Sequence, residues 1–312
     1  MWKNLKNWKE KRIGKIEPSL NTRMVWVMLA LVGVADAIGL KAEGIRLMPH
    51  DFLTNIFTIT ILLAISVTYT YIRRSDRIAE MTHMGAVFLA FAAVSAIASY
   101  LVAELHRPLV DDYLAASDRA LGLDWLACYK WVAARPLIKK ALFAAYGSLI
   151  PQIIFLLLFL NFRGRCARCW EMIWLFMVSC LICIVFSGLW PAVGAFGFYH
   201  VEPDSNYVHV FTELHNGTLK VIGDKHVEGI IQFPSFHMAL AILLIYVSRG
   251  MPILFLTLLE LNILLFISTP PIGGHHFADL WGGVVLALMT ILLVRKAFAA
   301  GLMPDTEKIS SM

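Results

Sequence analysis

Eight long apolar stretches constrain this chain more than any other feature of its sequence. They lie at residues 24–40, 52–72, 84–104, 141–162, 172–190, 235–249, 252–268 and 278–296. A helix needs about 20 apolar residues to cross the hydrocarbon core of a bilayer, and several of the stretches approach that length. Only 16% of the residues are charged, whereas soluble domains carry about 25%. The sequence therefore predicts an all-α, multi-pass integral membrane protein with about eight transmembrane helices.

The distribution of basic residues predicts how these helices are oriented. Residues 1–23 carry seven Lys and Arg, and they run directly into the first apolar stretch. With both termini inside, the inner segments hold 17 Lys and Arg and the outer segments hold 10. Cytoplasmic segments are enriched in these residues, so we expect cytoplasmic N- and C-termini. Anionic lipid, and not nucleic acid, is the expected partner of the basic segment.

Two segments on the predicted outer side are unusually long. Residues 105–140 place apolar, charged and aromatic side chains at helical spacing, which is typical of a helical segment lying in the membrane interface. In residues 191–234, side chains alternate in polarity on both sides of Asn216-Gly217, a pair that favours a two-residue hairpin turn. We expect a small extracytoplasmic β-hairpin there, which would either close the loop or cover the mouth of a site.

Two short segments combine histidines with the start of a predicted helix. The first contains Ser235, a good capping residue, two positions before His237. In the second, His275 and Asp279 are four residues apart, so they share a helix face and can contact each other. Glycines at 273 and 274 allow close backbone approach. Since helix N-termini attract anions, the two segments together predict an anion site on the outer side, suited to a phosphate ester.

These residue types also predict a reaction. A histidine made more basic by a carboxylate can attack phosphorus and form a phosphohistidine, which assigns His275 as nucleophile and Asp279 as its partner. His237 would protonate the leaving oxygen and then activate the acceptor. We therefore expect His275, Asp279 and His237 to be the catalytic residues.

The same segments resemble the second and third signature blocks of the type 2 phosphatidic-acid phosphatase superfamily, P-S-x-H and S-R-x5-H-x3-D. Pro234, Ser235 and His237 fit the second block, and Ser268, His275 and Asp279 have the spacing of the third. The resemblance covers residues 84–296. It implies a metal-independent enzyme without a cofactor, with the same three catalytic residues. It also implies two parts: residues 1–83, a basic cytoplasmic N-terminus with two extra transmembrane helices, and residues 84–312, a six-helix catalytic core.

The sequence departs from the superfamily pattern at its basic positions. Thr269 stands where the third block has Arg, and the first block, K-x6-R-P, has no clean match. Both this lack and the Gly-rich H-[HY]-x-x-D-L segment resemble the branch that contains inositol phosphorylceramide synthase and related lipid phosphotransferases. Which basic residues bind the phosphate is left open by the sequence. The candidates for binding substrate are Ser235, Gly274, Arg135, Lys139, Lys140, Tyr146 and Gln152.

Several functions remain as alternatives. The leading expectation is transfer from a phospholipid or lipid phosphate to a lipid or alcohol acceptor, at a site facing the periplasm or an organelle lumen. With water as the acceptor, the same site would be a lipid phosphate phosphatase. A metal-dependent hydrolase would instead recruit ligands among His237, His275, His276 and Asp279, with His200, His209, His215 and His226 in the outer loop. A transporter would relay protons through Asp36 and Glu260.

Overall fold

The computed structural model describes residues 20–202, 205–223 and 228–300. The basic segment at residues 1–19 and the C-terminal residues 301–312 lie outside these ranges. The described helices are α1 (Leu20–Glu43), α2 (Leu53–Tyr71), α3 (Asp76–Ala103), α4 (Asp111–Ala120), α5 (Trp125–Ala133), α6 (Pro136–Gly147), α7 (Leu149–Phe162), α8 (Cys166–Leu189), α9 (Gly194–Phe198), α10 (Tyr207–His215), α11 (Phe236–Val247), α12 (Pro252–Gly273) and α13 (Phe277–Ala299). A 3-10 turn covers Pro49–Phe52, and two short strands are β1 (Arg46–Leu47) and β2 (Val221–Ile222).

Each of the eight predicted apolar stretches is helical, and the stretch at 141–162 is divided between α6 and α7. Six helices (α1, α2, α3, α8, α12 and α13) are long and apolar enough to cross a membrane. Helices α6 and α7 meet at a bend of 42° and together could form a seventh span, while α11 is a shorter apolar helix of 12 residues. The prediction of an all-α, multi-pass integral membrane protein is confirmed.

Helix α8 lies at the centre of the bundle. It packs against α3, α7, α11 and α13, and 61% of its most apolar 18-residue stretch is buried. In contrast, α2 packs mainly on α3, and only 6% of its most apolar 18-residue stretch is buried. Helix α1 also packs on α3. The predicted boundary between residues 83 and 84 falls inside α3, because this helix is continuous from Asp76.

The predicted interfacial segment at residues 105–140 folds as two short helices, α4 and α5, followed by the start of α6. Trp131 is about half exposed, in keeping with an interfacial position. Trp125, another aromatic residue of this predicted interfacial segment, is instead only 1% exposed and lies in an aromatic stack between Tyr129 and Tyr199. Its indole N–H donates to the carbonyl of Pro270 at 3.1 Å. Trp125 therefore anchors α5 to the end of α12.

The prediction of a β-hairpin around Asn216-Gly217 is wrong. Residues Tyr207–His215 form helix α10, which buries Tyr207, Val210, Phe211 and Leu214. These four residues follow the spacing i, i+3, i+4 and i+7 of a helix that buries one face. After the helix, β2 pairs in parallel with β1, a partner 175 residues earlier in the chain. The segment packs into a buried hydrophobic cluster together with residues of α5 and α9, at the same end of the bundle.

Candidate active site

The site begins where helices α11 and α13 start, because the two starts are in direct contact. The backbone N–H of Ser235 donates to the carbonyl of Asp279 at 3.0 Å. Gly283, one turn further along α13, permits this approach, since a Cβ there would lie 2.8 Å from the Cβ of Met238. This contact places the ring of His237, in the first turn of α11, 6.3 Å from the ring of His275. The two histidines that the sequence singled out therefore face each other.

The surroundings of His275 select one protonation form of its ring. The Nδ1 atom lies 3.0 Å from the carbonyl oxygen of Gln232 and 3.4 Å from Oδ2 of Asp279. A carbonyl oxygen can only accept a hydrogen bond, so the neutral ring carries its proton on Nδ1. The lone pair then resides on Nε2. The arrangement leaves Nε2 as a nucleophile or base, with a carboxylate behind the ring.

His237 has a different neighbour. Its ring stacks on that of Tyr146, with centroids 4.3 Å apart. The Tyr146 hydroxyl lies 3.3 Å from Nδ1 of His237. A hydroxyl can donate or accept, so this contact orients the ring without fixing which nitrogen carries the proton. His237 is thus held in place while remaining able to exchange a proton.

Both histidines open onto one cavity of about 590 Å³. Among the substrate-binding candidates, Lys139 and Tyr146 also line it, together with Gly273. Most of the wall is apolar and comes from α3, α6, α8 and α11; its larger members are Phe88, Phe143, Phe176, Ile184, Phe236 and Leu240. The arrangement places two imidazoles at a largely apolar chamber that can hold a small lipid portion.

Comparison with known proteins identifies the family. The model of the PAP2 superfamily matches residues 112–293, which is more than half of the chain. The chain belongs to the PAP2 superfamily. Members of this superfamily are generally phosphatases or phosphotransferases, and the chain is an enzyme of that broad type. No curated protein and no solved structure matches the chain significantly.

Several predicted substrate-binding residues of this PAP2 protein do not line the cavity. Arg135 lies over the ring of Trp131, 4.1 Å from its centroid, and donates to the Trp131 carbonyl. Gln152 joins α7 to α12, because its amide oxygen accepts from Asn262 at 2.7 Å. Lys140 is exposed and lies outside the cavity wall. For Arg135 and Gln152, these contacts indicate structural roles.

Ser235 and Thr269 are also turned away from the cavity. The Ser235 side chain caps α11 by accepting from the N–H of Met238 at 3.4 Å, and the residue is fully buried. Thr269, at the position of the superfamily's Arg, donates its hydroxyl to the carbonyl of Leu265 within α12. Neither hydroxyl belongs to the cavity wall.

The two glycines before His275 lie against the rings of aromatic residues, and Gly273 lines the cavity whereas Gly274 does not. Gly274 ends α12 with a φ of +70°, which an L side chain rarely adopts. A Cβ at Gly274 would lie 2.5 Å from the Tyr207 hydroxyl and would also overlap the ring of Phe196. A Cβ at Gly273 would lie 2.7 Å from the Tyr146 hydroxyl. Two phenol groups are therefore pressed against this turn.

The N-terminus of α13 does not offer its backbone amides to a ligand, contrary to the prediction from the sequence. The carboxylate of Asp118, on α4, accepts from the N–H of Phe277 at 3.0 Å and of Ala278 at 2.8 Å. Asp111, at the start of the same helix, accepts from the N–H groups of Val193 and Gly194. Two carboxylates of the protein itself thus occupy the positive backbone groups at this end of the bundle.

His276 lies between these two carboxylates. Its Nε2 is 3.4 Å from Asp111 and its Nδ1 is 3.6 Å from Asp118. Burial alone would lower the pKa of His276, but the two carboxylates outweigh it and raise the pKa to about 9. His276 is consequently a cation at neutral pH and compensates the acids of α4.

The loop histidines do not assemble a metal site in the described part of the chain. Within residues 20–202, 205–223 and 228–300, no group of three or more His, Cys, Asp or Glu has the arrangement to hold a metal ion. His209 pairs with Glu213 and His215 stacks on Phe211, both within α10. His226 lies outside the described residues.

Proposed function

We propose that this PAP2 protein is a membrane-embedded lipid phosphotransferase that forms a phosphohistidine at His275. One observation supports the proposal above the others. His275 has its Nδ1 directed at the Gln232 carbonyl and Asp279, which leaves Nε2 for attack, and His237 faces it at 6.3 Å across a shared cavity. The same three residues are those that the sequence indicated.

In the first step, the Nε2 lone pair of His275 attacks phosphorus and the bond from phosphorus to the leaving oxygen breaks. Protonated His237 transfers a proton to that oxygen as it leaves. The His275 ring gains positive charge as the N–P bond forms, and the carboxylate of Asp279 stabilises this charge. His275 then carries the phosphoryl group or the phosphorylated headgroup.

In the second step, an acceptor hydroxyl attacks phosphorus from the vacated side. His237, now neutral, takes the proton from the acceptor as the new P–O bond forms and the N–P bond breaks. His275 recovers its lone pair and His237 its proton, so the enzyme returns to its starting state. An alcohol acceptor gives transfer, and water gives hydrolysis.

The cavity supports a lipid acceptor or donor more than a water-soluble one. Its wall is built largely from apolar side chains on helices that span the membrane. Acyl or prenyl chains could therefore move from the bilayer into the cavity at little cost in free energy. The Thr at position 269 favours a phosphodiester donor, because such a donor carries less charge than a monoester. Both points agree with the inositolphosphotransferase-like branch.

Hydrolysis of a lipid phosphate is the second candidate. The side chain of Lys139 belongs to the cavity wall, and a cation there would suit the higher charge of a phosphate monoester. The two reactions share the histidine chemistry and differ only in the acceptor. For either reaction, we propose that the site faces the periplasm or a lumen, with cytoplasmic termini.

Labelled lipids test this proposal. Protein purified in detergent would be given ³²P-labelled phosphatidylinositol or phosphatidic acid, together with diacylglycerol or ceramide as acceptor. We expect label to move to the acceptor lipid, and we expect His275→Ala and His237→Ala to abolish the transfer. Release of free phosphate alone would replace the transferase proposal with the phosphatase.

Chelator and vanadate separate this chemistry from metal-dependent hydrolysis. Phosphohistidine chemistry predicts full activity in chelator and inhibition by vanadate, which mimics the five-coordinate phosphorus. Loss of activity in chelator with recovery on adding zinc would instead support the metal-dependent alternative.

A further inference from the structure

A tyrosine that the sequence did not indicate lines the cavity and carries a buried hydroxyl without a partner. Tyr207, in the first turn of α10, is only 4% exposed and lines the same cavity as His237 and His275. Its hydroxyl has no hydrogen-bond partner among the residues that the structure describes. An unpaired buried hydroxyl costs about 1–3 kcal/mol, so its presence calls for a ligand or a function.

The position of this hydroxyl relates it to the reacting histidine. It is pressed against Gly274, the residue immediately before His275, where a Cβ would lie 2.5 Å from it. The other tyrosine at this turn, Tyr146, already contacts His237 through its hydroxyl. The Tyr207 hydroxyl is therefore the donor beside His275 that remains available.

The charge of the cavity wall leaves a role for such a donor. In the described part of the wall, the ionisable groups besides the histidines and tyrosines are the amine of Lys139, the carboxylate of Glu228 and the thiol of Cys180. The charges of Lys139 and Glu228 offset each other, and Thr269 bonds within its own helix. Neutral hydrogen-bond donors must then supply part of the stabilisation of the phosphate charge, which the superfamily's third block obtains from Arg.

Tyrosine suits this purpose in a buried position. Burial raises the pKa of Tyr207 well above its ordinary value, with smaller contributions from Tyr146 and the nearby Asp279 and Asp111 carboxylates. The phenol therefore keeps its proton over the working pH range. It remains a hydrogen-bond donor, which an anionic ligand requires.

From these observations we infer that Tyr207 is a substrate-binding residue that donates its hydroxyl proton to a nonbridging oxygen of the phosphate attacked by His275. The inference rests on the proposed phosphohistidine chemistry and deepens it. It assigns a neutral phenol to a task that the superfamily's third block gives to Arg.

Tyr207→Phe tests the inference because it removes only the hydroxyl. Vanadate is the probe, since it occupies the phosphate position whatever the lipid substrate is. We expect the vanadate inhibition constant to rise about 10- to 100-fold, the usual effect of one hydrogen bond to a charged group. Turnover of ³²P-labelled phosphatidic acid should fall by about 100-fold. The melting temperature in detergent should not fall, because the hydroxyl has no partner to lose.

Tyr113→Phe is the matched control. Tyr113 lies on α4 at the same end of the bundle, is 76% exposed and does not line the cavity. We expect this variant to keep wild-type turnover, vanadate inhibition and melting temperature.

Two outcomes would overturn the inference. One is an unchanged vanadate inhibition constant in Tyr207→Phe. The other is a melting temperature that falls in parallel with activity, which would indicate a packing role. His275→Ala tests the phosphohistidine proposal separately from the role of Tyr207. If His275→Ala still turns over lipid, the phosphohistidine proposal fails, whatever the result for Tyr207→Phe.

Discussion

At the scale of single residues, Gly274 connects the fold to the chemistry. Its left-handed backbone ends α12, and its missing side chain leaves space for Tyr207 and Phe196 directly beside His275. A methyl group at this position therefore has two effects. It strains the backbone, and it displaces the rings that shape the cavity.

We predict that Gly274→Ala lowers both stability and turnover, while Gly122→Ala lowers stability only slightly. Gly122 has a φ of +72°, but a Cβ added there would meet nothing within 4 Å, so alanine introduces backbone strain alone. That strain costs about 1–2 kcal/mol. At Gly274 the overlap adds about 1–3 kcal/mol, as overpacking of a dense site does. Melting temperature and lipid turnover, measured for both variants, check the prediction; equal losses in the two would contradict it.

The residues found from the sequence share a local origin. His275 and Asp279 were predictable because four residues along a helix fix their relation, and His237 because a capping serine marks the start of its helix. The partners that define their chemistry are distant in the chain. The Gln232 carbonyl lies 43 residues from His275, and Asp118 lies 159 residues from Phe277, whose N–H it accepts. No local pattern reports such contacts.

At the scale of elements, the docking of α4 on the start of α13 holds the site together. Asp118 and Asp111, both on α4, engage the amides at the start of α13 and before α9, and His276 lies between them as a cation. Two buried carboxylates without this cation would repel each other. The protonated form of His276 is therefore part of the folded structure.

We predict that this cluster makes stability depend on pH. The folded pKa of His276, about 9, is above its ordinary value of about 6.5. A raised folded pKa gives stabilisation that is complete below about pH 6.5, declines as pH rises, and is lost above about pH 9. The melting temperature of the wild type should therefore exceed that of His276→Gln at pH 6, and the difference should shrink toward pH 9. A difference independent of pH would contradict the assignment.

Elements were predicted well where the apolar pattern was long and poorly where it was short. All eight apolar stretches are helical, since length and composition leave few alternatives, although the stretch at 141–162 is broken into α6 and α7. The prediction failed for the nine residues of α10, because a short segment with apolar residues at 207, 208, 210, 211 and 214 fits alternation and helical spacing about equally. Burial of one helical face against α3 and α9 decided between them.

At the scale of the whole molecule, the region that matches the family and the N-terminal helices differ in their packing. The PAP2 match spans residues 112–293, from α4 into α13. Helix α3, which precedes the match, contributes Phe88, Ala92, Ser95, Ala96 and Ser99 to the cavity wall. Helices α1 and α2 pack outside it, on α3. The sequence predicted about eight spans, whereas six of the described helices, or seven with the bent pair, are long and apolar enough to cross a membrane. It placed α3 in the catalytic core but could not indicate which α3 side chains line the cavity.

We predict that the cavity end of the bundle lies outside the cytoplasm. In a variant with Cys128, Cys166 and Cys180 replaced by Ala, a cysteine at Asp112, beside the cavity end, should react with a membrane-impermeant maleimide in intact cells. A cysteine at Arg163, in the turn between α7 and α8 at the other end, should react only after permeabilisation. The positive-inside rule gives the reason. The opposite labelling pattern would contradict the orientation.

The central claim is that His275 becomes phosphorylated, and trapping the phosphoenzyme tests it most directly. Protein would be mixed with ³²P-labelled lipid, quenched within milliseconds and digested for mass spectrometry. We expect a label that is stable in base and labile in acid, located on His275, absent from His275→Ala and reduced in Asp279→Asn. A label on another residue, or turnover with no phosphoenzyme and full activity in His275→Ala, would contradict the account.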